Sequence, residues 1–357
     1  MKTLLLLVFF LVVYSTFNAQ KIFENIKNGD GKKVESWLNK NPEKANQRFP
    51  IKNNRGETDS LHIIEYAAYH NKKEILSLFV QNKSMFDNFN EWISDGLGSN
   101  IHNCDKETLK MLIDAGALVN GRCRMCQKAP PIAIALAYQC YDSYNLLREN
   151  GAKLVNENSG YDVIHAASQI DSLPFLINLI EKEFLDVNQE DELWKTNAAF
   201  FAASKSLSNL KYLIEKGSDY RKIDSEGYSI LYYASNLEIF EFLENLLIND
   251  DGRNIDDLIN KKSMLISSII SKDEKKLFDY FIRHYPKLIL PSRNNSDNPL
   301  LSLLETTKNT EYFFNELMKR KLDLYKEDEY GLDLKYYAKK MKKNELLDII
   351  KRYEKAH

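Results

Sequence analysis

The first apolar stretch of the chain is unbroken. Leu4 to Tyr14 is a continuous run, with Lys2 before it and Ser15, Thr16 and Asn18 after it, ahead of Ala19-Gln20. A basic start, a short apolar run and a small exit residue form the layout of a secretory signal peptide. The run is about half the ~20 residues that a spanning helix requires. Residues 1–19 are therefore expected to be a cleaved signal, with a retained anchor as the alternative. Phe17 is bulkier than the usual residue near a cleavage site, so the cut itself is left open. No cysteine follows the run, and a lipoprotein anchor is not expected.

Beyond Gln20 the pattern changes. Leu and Ile recur at spacings of three and four between charged residues, which predicts amphipathic helices. The ends of these helices repeat. One copy runs from Glu107 through Leu109, Leu112 and Ile113 to Gly116-Ala117. Others are Leu146-Leu147 to Gly151-Ala152 and Leu210 through Ile214 to Gly217. Gly116 and Gly151 are 35 residues apart, and Gly151 and Gly217 are 66 apart, twice 33. A fixed period of this size marks a repeat array. Helix starts recur as well: Gly160-Tyr161-Asp162-Val163-Ile164-His165-Ala166-Ala167, Gly227-Tyr228-Ser229-Ile230-Leu231-Tyr232-Tyr233-Ala234 and, more loosely, Gly331-Leu332-Asp333 to Ala338. Ile64 to Ala68, Phe200 to Ala203 and Asn298 to Leu301 open units that lack the glycine.

Physical chemistry assigns these positions roles. Asp162, Ser229 and Asp333 are expected to cap a first helix by accepting a backbone N–H bond. Ala67, Ala167, Ala202 and Ala234 are small where two antiparallel helices would press together. Gly116, Gly151 and Gly217 suit the left-handed conformation that ends a helix. No single unit can bury its apolar stripe, so stacking must supply the core.

These residues resemble the ankyrin repeat, whose units run Gly-x-Thr-Pro-Leu-His-x-Ala-Ala and end Leu-Leu-x-x-Gly-Ala. The resemblance implies an all-α solenoid of stacked antiparallel helix pairs joined by finger loops. It spans residues 20–357 in about nine to ten units and is weak near 20–50, 85–103 and 255–325. The Thr-Pro-Leu-His tetrapeptide occurs nowhere, and His165 alone keeps its histidine, where a structural bracing role is expected. The signal-peptide layout, whose Asn18-Ala19-Gln20 ending resembles those of flavobacteria and their relatives, implies an exported bacterial protein, periplasmic or secreted, and the ankyrin resemblance implies that it binds another protein on its concave face. Finger loops and the exposed side of first helices would line that face. Tyr161, Gln169, Ser225, Glu226, Tyr228, Asn236, Glu329 and Tyr330 are the candidate contacts. Tyrosine suits such a role because it offers a large area with a polar end.

Composition adds little beyond this. The chain has 357 residues, 44% of them hydrophobic and 28% charged, with 13 Gly and 8 Pro, which favours helices over a loop-rich sandwich. The net charge of −2 supplies no overall field for nucleic acid, so no nucleic-acid partner is expected. Lys339, Lys340, Lys342, Lys343, Lys351, Arg352 and Lys355 crowd the last unit. They read as a solvated outer face of a capping repeat, with a basic patch for an acidic partner as the alternative.

Cys104, Cys123, Cys126 and Cys140 all fall within one short stretch. In an oxidising compartment an even, local set implies disulfides, and four cysteines allow three pairings. A closed loop of this size stabilises by ~3 kcal/mol in the chain-entropy model. A four-thiolate zinc site, a thioredoxin-like redox pair, and ordinary buried thiols at Cys104 and Cys140 are the competing readings. No phosphate loop, dinucleotide fingerprint, zinc-protease pair or nucleophile elbow occurs. The six histidines are scattered. The expectation is a non-catalytic monomer without metal or cofactor, meeting a membrane only if the N-terminal run is retained. An envelope scaffold held by that run, or an inhibitor or immunity protein for a toxin, are the alternatives.

Overall fold

The computed structural model describes residues 21–52, 58–121, 129–155, 161–259, 262–286, 298–328 and 330–357. They divide into two compact units. The first is Met1–Asp186 with Glu190–Glu192, and the second is Val187–Gln189 with Leu193–His357.

In the first unit, helix α1 (21–27) is followed by α2 (Gly31–Lys40), a hairpin of β1 (Phe49–Lys52) and β2 (Thr58–Leu61), α3 (Ile63–Tyr69) and α4 (Lys73–Gln81). Then come α5 (Phe89–Asn100), α6 (Lys106–Asp114), α7 (Pro131–Ala137), α8 (Tyr141–Glu149), α9 (Val163–Gln169) and α10 (Leu173–Glu181). Helices pair within a repeat, as α3 with α4 and α7 with α8, and stack on the next repeat, as α3 on α5 and α7 on α9. Ala67 and Ala167 are fully buried at these contacts, where a larger side chain would hold the helices apart. The β-hairpin corrects the all-α expectation. Its strands pair antiparallel, Phe49 opposite Leu61, and both residues are buried. An apolar cross-strand pair facing the helices is what a half-buried finger loop needs to become a ladder.

The second unit holds α11 (Ala198–Ala203), α12 (Leu207–Glu215), a 3₁₀ turn (Ile230–Tyr233), α13 (Leu237–Glu244) and a π-helical segment (Asn245–Asp250). It continues with α14 (Ile255–Leu258), α15 (Lys262–Ser271), α16 (Lys275–His284), a 3₁₀ helix (Pro299–Leu304), α17 (Thr310–Lys319), α18 (Leu334–Lys340) and α19 (Asn344–Ala356). The weakly patterned stretches therefore carry helices too. Leu277, Phe278 and Phe281 on α16 and Phe313, Phe314 and Leu317 on α17 supply the buried stripe there. Ala202 and Ala234 are buried as expected.

Helix termini follow the sequence closely. Gly116, Gly151 and Gly217 have φ of 105°, 84° and 90°. After each, the next residue donates back to a buried leucine carbonyl: Ala117 N–H to Leu112, Ala152 to Leu147 and Ser218 to Leu213. This is the Schellman closure, which satisfies carbonyls a helix end would otherwise orphan. Asp333 caps α18, accepting from the Tyr336 N–H at 2.7 Å. Asp162 stands at the start of α9, where His165 Nδ1 accepts from the Asp162 N–H at 2.9 Å and is fully buried. Ser229 departs from expectation. It heads a 3₁₀ turn, and its hydroxyl donates to the Leu258 carbonyl at 2.8 Å instead of accepting from the turn.

Neighbouring repeats are joined by two recurring contacts. The first uses an asparagine of one loop to bracket the turn of the next repeat. Asn46 holds Met85 O and Asp87 N, Asn120 holds Gly151 O and Lys153 N, and Asn188 holds Gly217 O and Asp219 N. The second joins the left-handed residue between the paired helices to the cap of the following repeat. Asn71 donates to Asp105 at 2.9 Å, and the Asp273 carboxylate accepts from Asn309 Nδ2 at 2.9 Å. Cys104 and Cys140 occupy the same two positions and are joined by a disulfide, with Cα atoms 5.0 Å apart. That pairing sets aside the thiol and four-thiolate zinc readings for these two residues. Cys123 and Cys126 lie outside the described residues.

Candidate interaction surface

Two finger loops of the second unit share one construction. In the first, the buried Asp224 carboxylate accepts from Glu226 N–H at 2.9 Å, Tyr228 N–H at 2.8 Å and the Tyr233 hydroxyl at 2.6 Å. In the second, Asp328 accepts from Tyr330 N–H at 2.9 Å, Leu332 N–H at 3.0 Å and the Tyr337 hydroxyl at 2.6 Å. Gly227 and Gly331 turn the chain at positive φ inside each loop. The Tyr337 hydroxyl and the backbone donors hold the Asp328 carboxyl below the usual range, and the same hydrogen bond pushes the Tyr337 phenol up to about 12. The Asp328–Tyr337 pair stays as a carboxylate and a neutral phenol at ordinary pH, so that loop is locked by charge-assisted bonds.

The first loop is tied to its neighbour in the chain's preceding loop. Ser225 N–H donates to Trp194 O at 2.8 Å, and its hydroxyl to Leu193 O at 3.2 Å. The tips carry large apolar side chains turned to solvent: Leu193 is 56% exposed, Trp194 43% and Ile223 57%. Tyr330 on the second loop is 74% exposed.

Of the expected contact residues, Ser225, Glu226 and Tyr228 share the Asp224 loop, with Ser225 and Glu226 exposed and Tyr228 half-buried. Tyr330 stands at the tip of the second loop. Tyr161 is half-buried beside His165, their ring centroids 5.9 Å apart, and burial raises its phenol pKa. Gln169 is the half-buried last residue of α9. Asn236 is not on a finger loop. It caps α13, its Oδ1 accepting from the Ile239 N–H at 3.0 Å. Glu329 lies outside the described residues. Leu193 and Trp194 were missed in the sequence because the unit around 190–197 lacks the Gly motif, and Ile223 stood beside Asp224 without being among the expected contacts. The available signal was Asp-x-x-Gly followed six residues later by Tyr, present at Asp224 to Tyr233 and Asp328 to Tyr337.

Among the described residues no group of three His, Cys, Asp or Glu side chains could hold a metal ion, and no helix is long and apolar enough to cross a membrane. No protein-family model matches the chain, and no protein of curated function is similar to it in sequence. The solved structures similar to the chain include two ankyrin repeat domains. The human ASB11 ankyrin repeat domain is 14% identical, with 62% of this chain and 95% of that one covered and a TM-score of 0.41. The ankyrin repeat domain of Bcl-3, described as a unique member of the IkappaB protein family, is 17% identical, with 62% and 97% covered and a TM-score of 0.36.

Proposed function

We propose that the chain is an exported, non-catalytic protein-binding module that engages its partner with the finger-loop tips. The observation that carries this reading is the locked loop pair with Leu193, Trp194 and Ile223 held out in water. Exposing such side chains costs roughly 25 cal/mol for each Å² of apolar surface that a partner could cover. Rigid loops lower the ordering cost of binding, because little conformational freedom remains to be lost. Two features support export: the layout of residues 1–19 and the Cys104–Cys140 disulfide, which persists in oxidising compartments.

The test is affinity capture from the source cells and medium, with the chain beside a Trp194→Ala/Ile223→Ser/Tyr330→Ala variant. Circular dichroism checks that the variant keeps its helices. Partner capture by the parent and its loss in the variant is the expected result. Equal capture by both would place binding elsewhere and overturn the proposal. An inhibitor or immunity role within this reading requires a single cognate partner. An envelope scaffold requires the Leu4–Tyr14 run to stay attached, and cell fractionation separates the two.

A further inference from the structure

Apart from Lys355, the lysines and arginine of the last helix pair fall into two sets. Lys335 pairs with Glu354 at 2.6 Å, Lys351 with Asp348 at 3.1 Å and Arg352 with Glu311 at 2.8 Å. Lys339, Lys340, Lys342 and Lys343, in the turn from α18 to α19, form no ion pair with a described carboxylate. Glu354, whose carboxylate feels Lys339, is already taken by Lys335.

The placement of two of these four charges is unfavourable to the fold. Lys343 caps α19 and Lys342 precedes it at φ 58°, so both stand at the positive end of that helix's dipole. The same positions in other repeats hold residues that join the next repeat, as Asn71 and Asp105 do. Here Met341 sits among the lysines with 52% of its surface exposed. Tyr336, one turn earlier on α18, is exposed beneath the Lys340 ammonium, which lies 6.0 Å from the ring centroid.

From this we infer that the α18–α19 turn is a docking site for an anionic phospholipid surface. Four ammonium groups on flexible stems suit a spread of phosphate charge; a planar carboxylate or phosphate pair would be met better by arginine. Met341 and Tyr336 supply what a purely electrostatic patch lacks. The thioether can enter the acyl boundary, and a tyrosine ring sits well at headgroup level. The inference does not depend on the protein-binding proposal.

The experiment is co-sedimentation of the full chain with vesicles of phosphatidylcholine alone, and of phosphatidylglycerol mixed equally with phosphatidylcholine. The Leu4–Tyr14 run, where retained, contributes equally to both, so the reading is the anionic increment. Each lysine near an anionic surface strengthens partitioning about five-fold. A Lys339→Ser/Lys340→Ser/Lys342→Ser/Lys343→Ser variant is expected to lose the increment by about a hundred-fold or more, on the same principle. Met341→Ser, which leaves every charge in place, is expected to lose a smaller factor, and rising salt weakens the parent. Circular dichroism confirms folding of both variants. Equal binding to both vesicle types, or an unchanged increment in the lysine variant, overturns the inference. Binding to polyglutamate that matches vesicle binding and ignores Met341→Ser overturns it in favour of an acidic polypeptide.

Discussion

Replacing Cys104 and Cys140 together by serine removes the one covalent link described between repeats. The two residues are 36 apart in sequence. Closing a loop of that length takes about 13 cal/mol/K from the unfolded chain, or about 4 kcal/mol at room temperature. In a repeat array this falls on the local interface first, because each unit touches only its neighbours. Hydrogen exchange reads it directly. Amides of α6 and α8 that exchange by separating the two repeats should do so about a thousand-fold faster, at about 1.4 kcal/mol per decade. A second variant sharpens the argument. Cys104→Asn/Cys140→Asp rebuilds the Asn71–Asp105 contact of the preceding repeat, and Asn tolerates the left-handed backbone that Cys104 adopts at φ 53°. It should recover about 1 kcal/mol over the serine pair, the net worth of one hydrogen bond. Cys123 and Cys126 are unchanged in all three chains. Exchange in the serine variant within a few-fold of the parent, or acceleration spread evenly through α11 to α19, would refute the reasoning.

Two other outcomes follow from buried polar groups. His62 is fully buried, and desolvation lowers its pKa to about 3, against the opposing pull of the Ala45 carbonyl it meets at 2.6 Å. Its folded pKa lies below the unfolded value of 6.5, so its contribution is complete above pH 6.5 and is lost as pH falls towards 3, at about 1.4 kcal/mol per pH unit. Urea midpoints measured across that window should flatten in His62→Gln; an unchanged slope would assign the acid sensitivity elsewhere. Asp224→Ala strips the acceptor from two backbone donors and the Tyr233 hydroxyl and is expected to cost about 2–3 kcal/mol, with faster exchange confined to residues near 224–229. No loss in the urea midpoint would show that the loop is held by other means.

What the sequence revealed was local. Gly116, Gly151 and Gly217 announced helix ends because a left-handed residue is a property of one position. Ala67, Ala167 and Ala202 announced close helix packing for the same reason. The hidden parts depend on groups distant in sequence. The buried Glu65 meets Arg48 at 2.7 Å, and Arg48 also pairs with Asp95, a junction of three segments that no periodicity encodes. Cysteine pairing was open because three connectivities share one spacing. The candidate surface was legible in part. Ser225, Glu226 and Tyr228 stood beside a recognisable glycine, whereas Trp194 and Leu193 are joined to that loop by Ser225 hydrogen bonds that no local pattern encodes. Asn236 caps α13, a role the sequence left open because a polar residue after a first helix reads equally as surface contact or helix cap.

The Asp224 and Asp328 loops are closed by the side chains of the same two residue types, aspartate and tyrosine, around a glycine at positive φ. Glu226 and Tyr228 in one, Tyr330 and Leu332 in the other, meet the aspartate through backbone N–H groups, and Tyr228 and Leu332 also accept from its N–H with their carbonyls. Any residue but proline can supply those donors. The loops therefore behave as exchangeable cassettes: a library varying the tips while keeping Asp224, Gly227 and Tyr233 would sample new binding chemistries on an unchanged frame, and a lineage carrying this chain could retarget it by a few substitutions without revisiting the core.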